Sequence, residues 1–126
     1  MISTLLQVAL GGAVGASLRY VAGIGVVRLV GHTGFPLAIL AVNVLGSLLM
    51  GLFVAAAAHR GLTHLSPLVA TGLLGGFTTF SAFSLEAVTL YERGDLGLAA
   101  LYVGLSVALS IAGMMAGLWI GRGIFA

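Results

Sequence analysis

Cysteine is absent from the 126-residue chain, which excludes disulfides, thiolate catalysis and cysteine-bound metals. Lysine is absent as well. The basic residues are Arg19, Arg28, Arg60, Arg93 and Arg122, too few and too scattered to form a nucleic-acid surface despite a pI near 9.7. The acids are Glu86, Glu92 and Asp95, so no carboxylate precedes residue 86. No Gly-x-x-x-x-Gly-Lys-Ser/Thr motif occurs, which leaves no P-loop to drive an ATP-dependent process. His32, His59 and His64 share no metal-ligand spacing and read as solvated loop residues.

What is present in excess is apolar. Hydrophobic residues make up 60% of the chain, charged ones 6%, and the mean hydropathy is +1.23. A water-soluble domain of this size would have to expose large apolar patches. The composition therefore predicts an all-α integral membrane protein, because segments of about 20 apolar residues cross the hydrocarbon core as helices. Barrel strands would alternate polar and apolar residues, and these segments do not. The opening Met-Ile-Ser-Thr-Leu-Leu-Gln lacks the basic start of a signal peptide, so the first apolar segment is expected to stay as a span.

Four spans are expected in a single domain, at about residues 5–30, 36–58, 65–91 and 96–121. They place Arg60 and Arg122 on one side of the membrane and Arg28 and Arg93 on the other. Because an excess of basic residues in short loops sets orientation, an even split predicts insertion both ways round and an antiparallel, dual-topology homodimer. Orientation set by a subtler feature is the alternative. Gly11 and Gly15, and Gly113, Gly117 and Gly121, recur at four-residue spacing and allow close helix approach. They could serve the dimer seam or packing inside one subunit.

Polar groups inside apolar spans are costly, which makes each a candidate for function. Asn43 and Ser47 share a helical face, and Tyr102, Ser106 and Ser110 form a hydroxyl stripe on the last span. Single hydroxyls commonly bond their own helix, so the repeat carries more weight than any one member. These groups donate hydrogen bonds and hardly a carboxylate accompanies them, which suits an anion better than a cation. Phe80, Phe83 and Ser84 fall on one stripe of the third span, and phenylalanine edges, being positive, can face an anion. Core packing is the alternative use of such a pair.

Within that span Gly75 and Gly76 are followed by the β-branched Thr78 and Thr79, predicting a helix broken near the membrane midplane. Backbone freed at that depth must be buried in protein or coordinate something. Glu86, the one intramembrane carboxylate, is expected to be neutral, hydrogen-bonded or near the interface. Arg19 is expected either to face a watery vestibule or to snorkel to the headgroups.

The stretches Gly-Gly-Ala-Val-Gly-Ala-Ser-Leu-Arg-Tyr at 11–20, Ala-Val-Asn-Val-Leu-Gly at 41–46 and Gly-Gly-Phe-Thr-Thr-Phe-Ser-Ala-Phe-Ser-Leu-Glu at 75–86 resemble the Fluc (CrcB-like) bacterial fluoride channels. The similarity runs over essentially the whole chain. It implies a non-enzymatic, fluoride-selective channel of the bacterial inner membrane that exports cytoplasmic fluoride, with two pores per antiparallel dimer. By position, Phe80 and Phe83 would turn their ring edges to fluoride, with Asn43 as a nearby amide donor. Thr79, Ser81, Ser84 and Glu86 would form a polar rail, Ser106 and Ser110 would supply hydroxyls, and Arg19 would line the vestibule. The carbonyls of Gly75 and Thr78 from both subunits would hold a central, structural sodium ion (Na+). Ile39 and Ala82 stand where the family often carries hydroxyl residues, which weakens one vestibule and one rail contact.

A rival of another class is a proton-coupled exporter like the small multidrug-resistance proteins, also tiny, four-helical and dual-topology. Those depend on a carboxylate deep in the first span, and none is present here. A non-conducting structural subunit is a third reading.

Overall fold

The apolar segments become helices nearly end to end. The structure, a computed structural model, describes all 126 residues: α1 (Ile2–Val30), α2 (Leu37–Arg60), a composite third span, and α5 (Leu96–Phe125). All four spans are long and apolar enough to cross a membrane, which makes this a multi-pass membrane protein. Only 15 residues are buried within the chain, and large apolar side chains such as Trp119 and Leu5 stay exposed, as lipid-facing surfaces require. Glycine ends the first two helices. Gly61 closes α2 in the left-handed conformation, at φ 66° and ψ 35°.

The third span changes winding along its length. It opens with a short 3₁₀ turn (Thr63–Leu65), widens into a π-helical stretch (Pro67–Leu74), and tightens into α3 (Gly75–Phe77). Thr78 and Thr79 then adopt extended backbone, at φ −90°, ψ 157° and φ −152°, ψ 117°, before α4 (Phe80–Glu92) resumes. The interruption falls after the glycine pair rather than at it. Gly75 sits at helical φ −63°, ψ −37°, and Gly76 is pressed onto α1, where an added methyl would lie 2.7 Å from the Gly12 carbonyl oxygen. These glycines serve close approach; the extended residues are the two threonines, whose branched side chains favour that backbone.

Packing divides the helices into two pairs. α1 packs chiefly on the third span and α2 chiefly on α5. In the first pair a methyl on Gly72 would stand 2.9 Å from Gly11 Cα, and one on Gly15 would stand 2.9 Å from the Phe77 nitrogen. In the second, a methyl on Gly51 would lie 2.8 Å from the Leu118 nitrogen and one on Gly121 would lie 2.6 Å from Ala55 Cβ. Both four-residue glycine repeats therefore serve packing inside the subunit, the second of the two uses open to them. Without hydrophobic drive between helices in lipid, backbones gain dispersion by approaching this closely.

The loops are joined on one side. Arg93 donates through Nη2 to the Gly34 carbonyl at 3.0 Å and pairs with Asp95 at 3.0 Å, tying the α1–α2 connection to the α4–α5 turn.

Candidate functional site

The two helix pairs meet at the interruption. Asn43, on α2, clasps it from both sides: the Thr79 N–H donates to Oδ1 at 2.8 Å, and Nδ2 donates to the Thr79 carbonyl at 3.1 Å. The amide thus takes over backbone groups that a continuous helix would have paired internally. One Nδ2 hydrogen is left over. Thr79 also caps α4, its Oγ1 accepting from the Ala82 N–H at 3.1 Å. On the far side, Arg19 donates from Nε to the Gly76 carbonyl at 3.1 Å, so α1 fastens the segment just before the break.

Beside this clasp lies a cavity of about 390 Å³. Asn43 and Ser47 of α2, Thr78 and Thr79 of the break, Phe80 and Phe83 of α4, and Ser106 and Ser110 of α5 all line it. Methionines and aliphatic side chains complete the wall, and no ionisable group contributes. Phe80 and Phe83 stand with ring centroids 5.5 Å apart and planes tilted by 45°. Phe83 continues to Tyr102 at 5.3 Å, and Tyr102 to Phe35 at 5.6 Å in an edge-to-face arrangement of 87°. Phe80 is 78% exposed, so the cavity opens through its ring to the subunit surface.

Six of the nine residues predicted for the pore line this cavity: Asn43, Thr79, Phe80, Phe83, Ser106 and Ser110. Ser81, Ser84 and Glu86 lie outside it. Ser81 is exposed, with its oxygen 3.3 Å from Thr79 Oγ1, and Ser84 donates to its own helix at the Phe80 carbonyl at 2.9 Å. Glu86 follows on α4, part-buried and with no hydrogen-bond partner in the chain. Arg19 lines a separate cavity of about 500 Å³ together with Arg28 and Ile39.

Tyr102 belongs with these residues although the expected set stopped at Ser106 and Ser110. It is fully buried, and its hydroxyl and that of Ser106, one turn away, find no hydrogen-bond partner. The four-residue stripe on the last span was its signal. Ser106 lines the cavity and Tyr102 stands behind it, so the two hydroxyls neighbour each other at the wall, and an orphaned donor there is costly unless something accepts from it.

An interrupted helix braced by a side-chain amide, beside an open cavity walled by uncharged donors and phenyl rings, defines a polytopic membrane protein equipped to bind a small desolvated ion. Comparison with known proteins narrows the class. Residues 6–118 match the family described as "CrcB-like protein, Camphor Resistance (CrcB)", and the chain belongs to that family. It is 66% identical over 124 residues to the "Fluoride-specific ion channel FluC" of Ruegeria sp. (strain TM1040), covering 98% of each chain. It is 68% identical over 123 residues to the protein of that name from Roseobacter denitrificans, covering 97% of this chain and 98% of the other. The protein of that name from Jannaschia sp. (strain CCS1) is 78% identical over 103 residues, 79% of this chain and 98% of its own.

Proposed function

We propose that the protein is a fluoride-selective passive channel of the bacterial inner membrane, working as an antiparallel homodimer with two pores. The observation that carries this reading is the cavity's wall: an amide, hydroxyls and phenyl rings without an ionisable group. Fluoride is small and tightly hydrated, and a narrow path admits it only by replacing water with hydrogen-bond donors. The name carried by relatives at 66% and 68% identity supports the choice of anion. Export needs no fuel, because a negative-inside potential drives an anion outward by about 2.3 kcal/mol per 100 mV.

The dimer completes the site. Phe80 is largely bare in one copy, and the cavity opens beside it. A second, inverted copy supplies the missing wall and brings the two interrupted spans together near the midplane. Exposed on the other side of the break, Gly75 has lost its helical partner, because the Thr79 N–H is committed to Asn43. The Thr78 carbonyl likewise takes no hydrogen bond. These oxygens are hard ligands, so Gly75 and Thr78 of both copies fit a sodium ion. These carbonyls would hold the ion, which would supply a positive charge between the two breaks.

Among the polar residues outside the cavity, Ser81, Ser84 and Glu86 extend the path along α4, and Arg19 collects anions in its vestibule. An exporter that cycles protons is disfavoured, since Glu86 does not reach the cavity and α1 has no acid.

The test is efflux from proteoliposomes loaded with fluoride or chloride, with valinomycin to balance charge and an ion-selective electrode outside. Fluoride release with chloride retained is expected. Equal release of both halides, or release only with a proton gradient, overturns the reading.

A further inference from the structure

We infer that Phe35, in the connection between α1 and α2, is a positioning residue for the anion path, held in place by Arg93. The inference rests on the channel reading and extends it to a loop in which no motif stands out.

Phe80 and Phe83 reach outward through Tyr102 to Phe35, each ring in contact with the next at 5.3 to 5.6 Å. The last contact differs in kind. At 87° between planes it is edge-to-face, an arrangement that fixes one ring's angle against the other's through opposed partial charges. Tyr102 carries the fully buried, unpartnered hydroxyl and packs directly on Phe83, so its side-chain angle sets both that hydroxyl and one flank of Phe83. Beyond the neighbouring Ser106 hydroxyl, no polar group holds the phenol. Among the aromatic rings, Phe83 and Phe35 are the two that orient it.

Phe35 is itself held from outside. Arg93 donates to the carbonyl of the adjacent Gly34 at 3.0 Å while its guanidinium pairs with Asp95. Thr33 donates through Oγ1 to the Phe35 carbonyl at 2.7 Å, a local turn that rigidifies the same residues. Proline follows at position 36 and restricts the Phe35 backbone to extended conformations. The chain of support runs from Arg93 through Gly34 and Phe35 to Tyr102, and ends at the ring predicted to face the ion.

The decisive comparison is Phe35→Leu against Phe35→Tyr in proteoliposomes, with Arg93→Gln alongside and dimer assembly checked by size exclusion. Phe35→Leu keeps apolar bulk but removes the ring. It should lower fluoride flux by about three- to tenfold, the population change that corresponds to losing one edge-to-face pair. The fluoride-to-chloride ratio should fall with it, a change that loss of folded protein alone would not produce. Phe35→Tyr should restore both. Arg93→Gln should lower flux by about two- to threefold with assembly intact, the effect of one exposed hydrogen bond. Wild-type flux and selectivity in the assembled Phe35→Leu or Arg93→Gln protein overturns the inference, as does equal impairment of the leucine and tyrosine variants. Should the leucine variant fail to assemble, Arg93→Gln decides alone. Failure of the unmodified protein to release fluoride would instead sink the channel reading.

Discussion

Asn43 is where stability and conduction meet, and replacing it by aspartate separates them. The substituted side chain keeps the shape and the oxygen that accepts from the Thr79 N–H at 2.8 Å. It loses the donor to the Thr79 carbonyl at 3.1 Å and sets a carboxylate oxygen against that carbonyl. The structural penalty is that of one unmade buried hydrogen bond, about 1–3 kcal/mol, together with the repulsion between carboxylate and carbonyl while the new group is ionised. The penalty on an anion is larger. A charge roughly 4 Å from a fluoride ion, at an effective dielectric constant of about 20, costs about 4 kcal/mol, or roughly a thousandfold in occupancy. Asn43→Leu, by contrast, removes both clasp bonds and adds no charge. The aspartate variant should therefore be the more stable of the two once its carboxyl is protonated and donates to the Thr79 carbonyl, and the poorer conductor while it is ionised. Thermal unfolding in detergent measures the first quantity and electrode-recorded efflux the second. Flux in the aspartate variant should recover as pH is lowered and the introduced carboxyl takes up a proton, with protein-free vesicles as the control for neutral acid leak. Wild-type flux at neutral pH would refute the placement of Asn43 beside the ion, and a leucine variant as stable as the protonated aspartate one would refute the clasp.

The ring-edge argument predicts that Phe80→Ile and Phe83→Ile each cut fluoride flux strongly while the dimer still elutes as assembled; unchanged flux in both removes the rings from the mechanism. The packing argument predicts that Gly117→Ala, whose new methyl would lie 3.0 Å from the Leu52 nitrogen, lowers stability by about 1–3 kcal/mol or more. Gly104→Ala, with open space around it, should be neutral or gain up to about 1 kcal/mol by the same thermal assay. Thr79→Ala should cost about 1 kcal/mol through loss of the α4 cap and should lower flux as well, because Phe80 begins the helix that it caps. A serine at that position should rescue both.

The spans were legible because hydropathy is a sum over 20 or more residues and needs no knowledge of contacts. The two glycine repeats announced close approach, but spacing along one helix cannot name the helix that approaches; the structure assigns both to neighbours inside the subunit. A similar limit explains why the stretch Gly75–Thr79 could be read as the interruption but not which of its residues leave the helix. Glycine's permissive backbone and threonine's extended preference both occur in that stretch, and the choice between them is made by Gly12 and Asn43, far away in sequence. Chemical type picked out Asn43, Phe80, Phe83, Ser106 and Ser110 as cavity residues. It could not show that most of the Asn43 amide is spent on backbone. Ser84 illustrates the converse: its place on the stripe was readable, but its hydroxyl turns back to the Phe80 carbonyl. Phe35 carries no sequence signal, since a lone phenylalanine before a proline in a loop has many uses.

The interleaved pairing of helices, first with third and second with last, bears on how the subunit is made. Each of the two earliest spans leaves the ribosome before its glycine-matched neighbour exists, and must wait in the lipid with its seam open. Final docking is thus deferred until the last span has been released, so a nascent chain that stalls early holds helices with nothing to close upon.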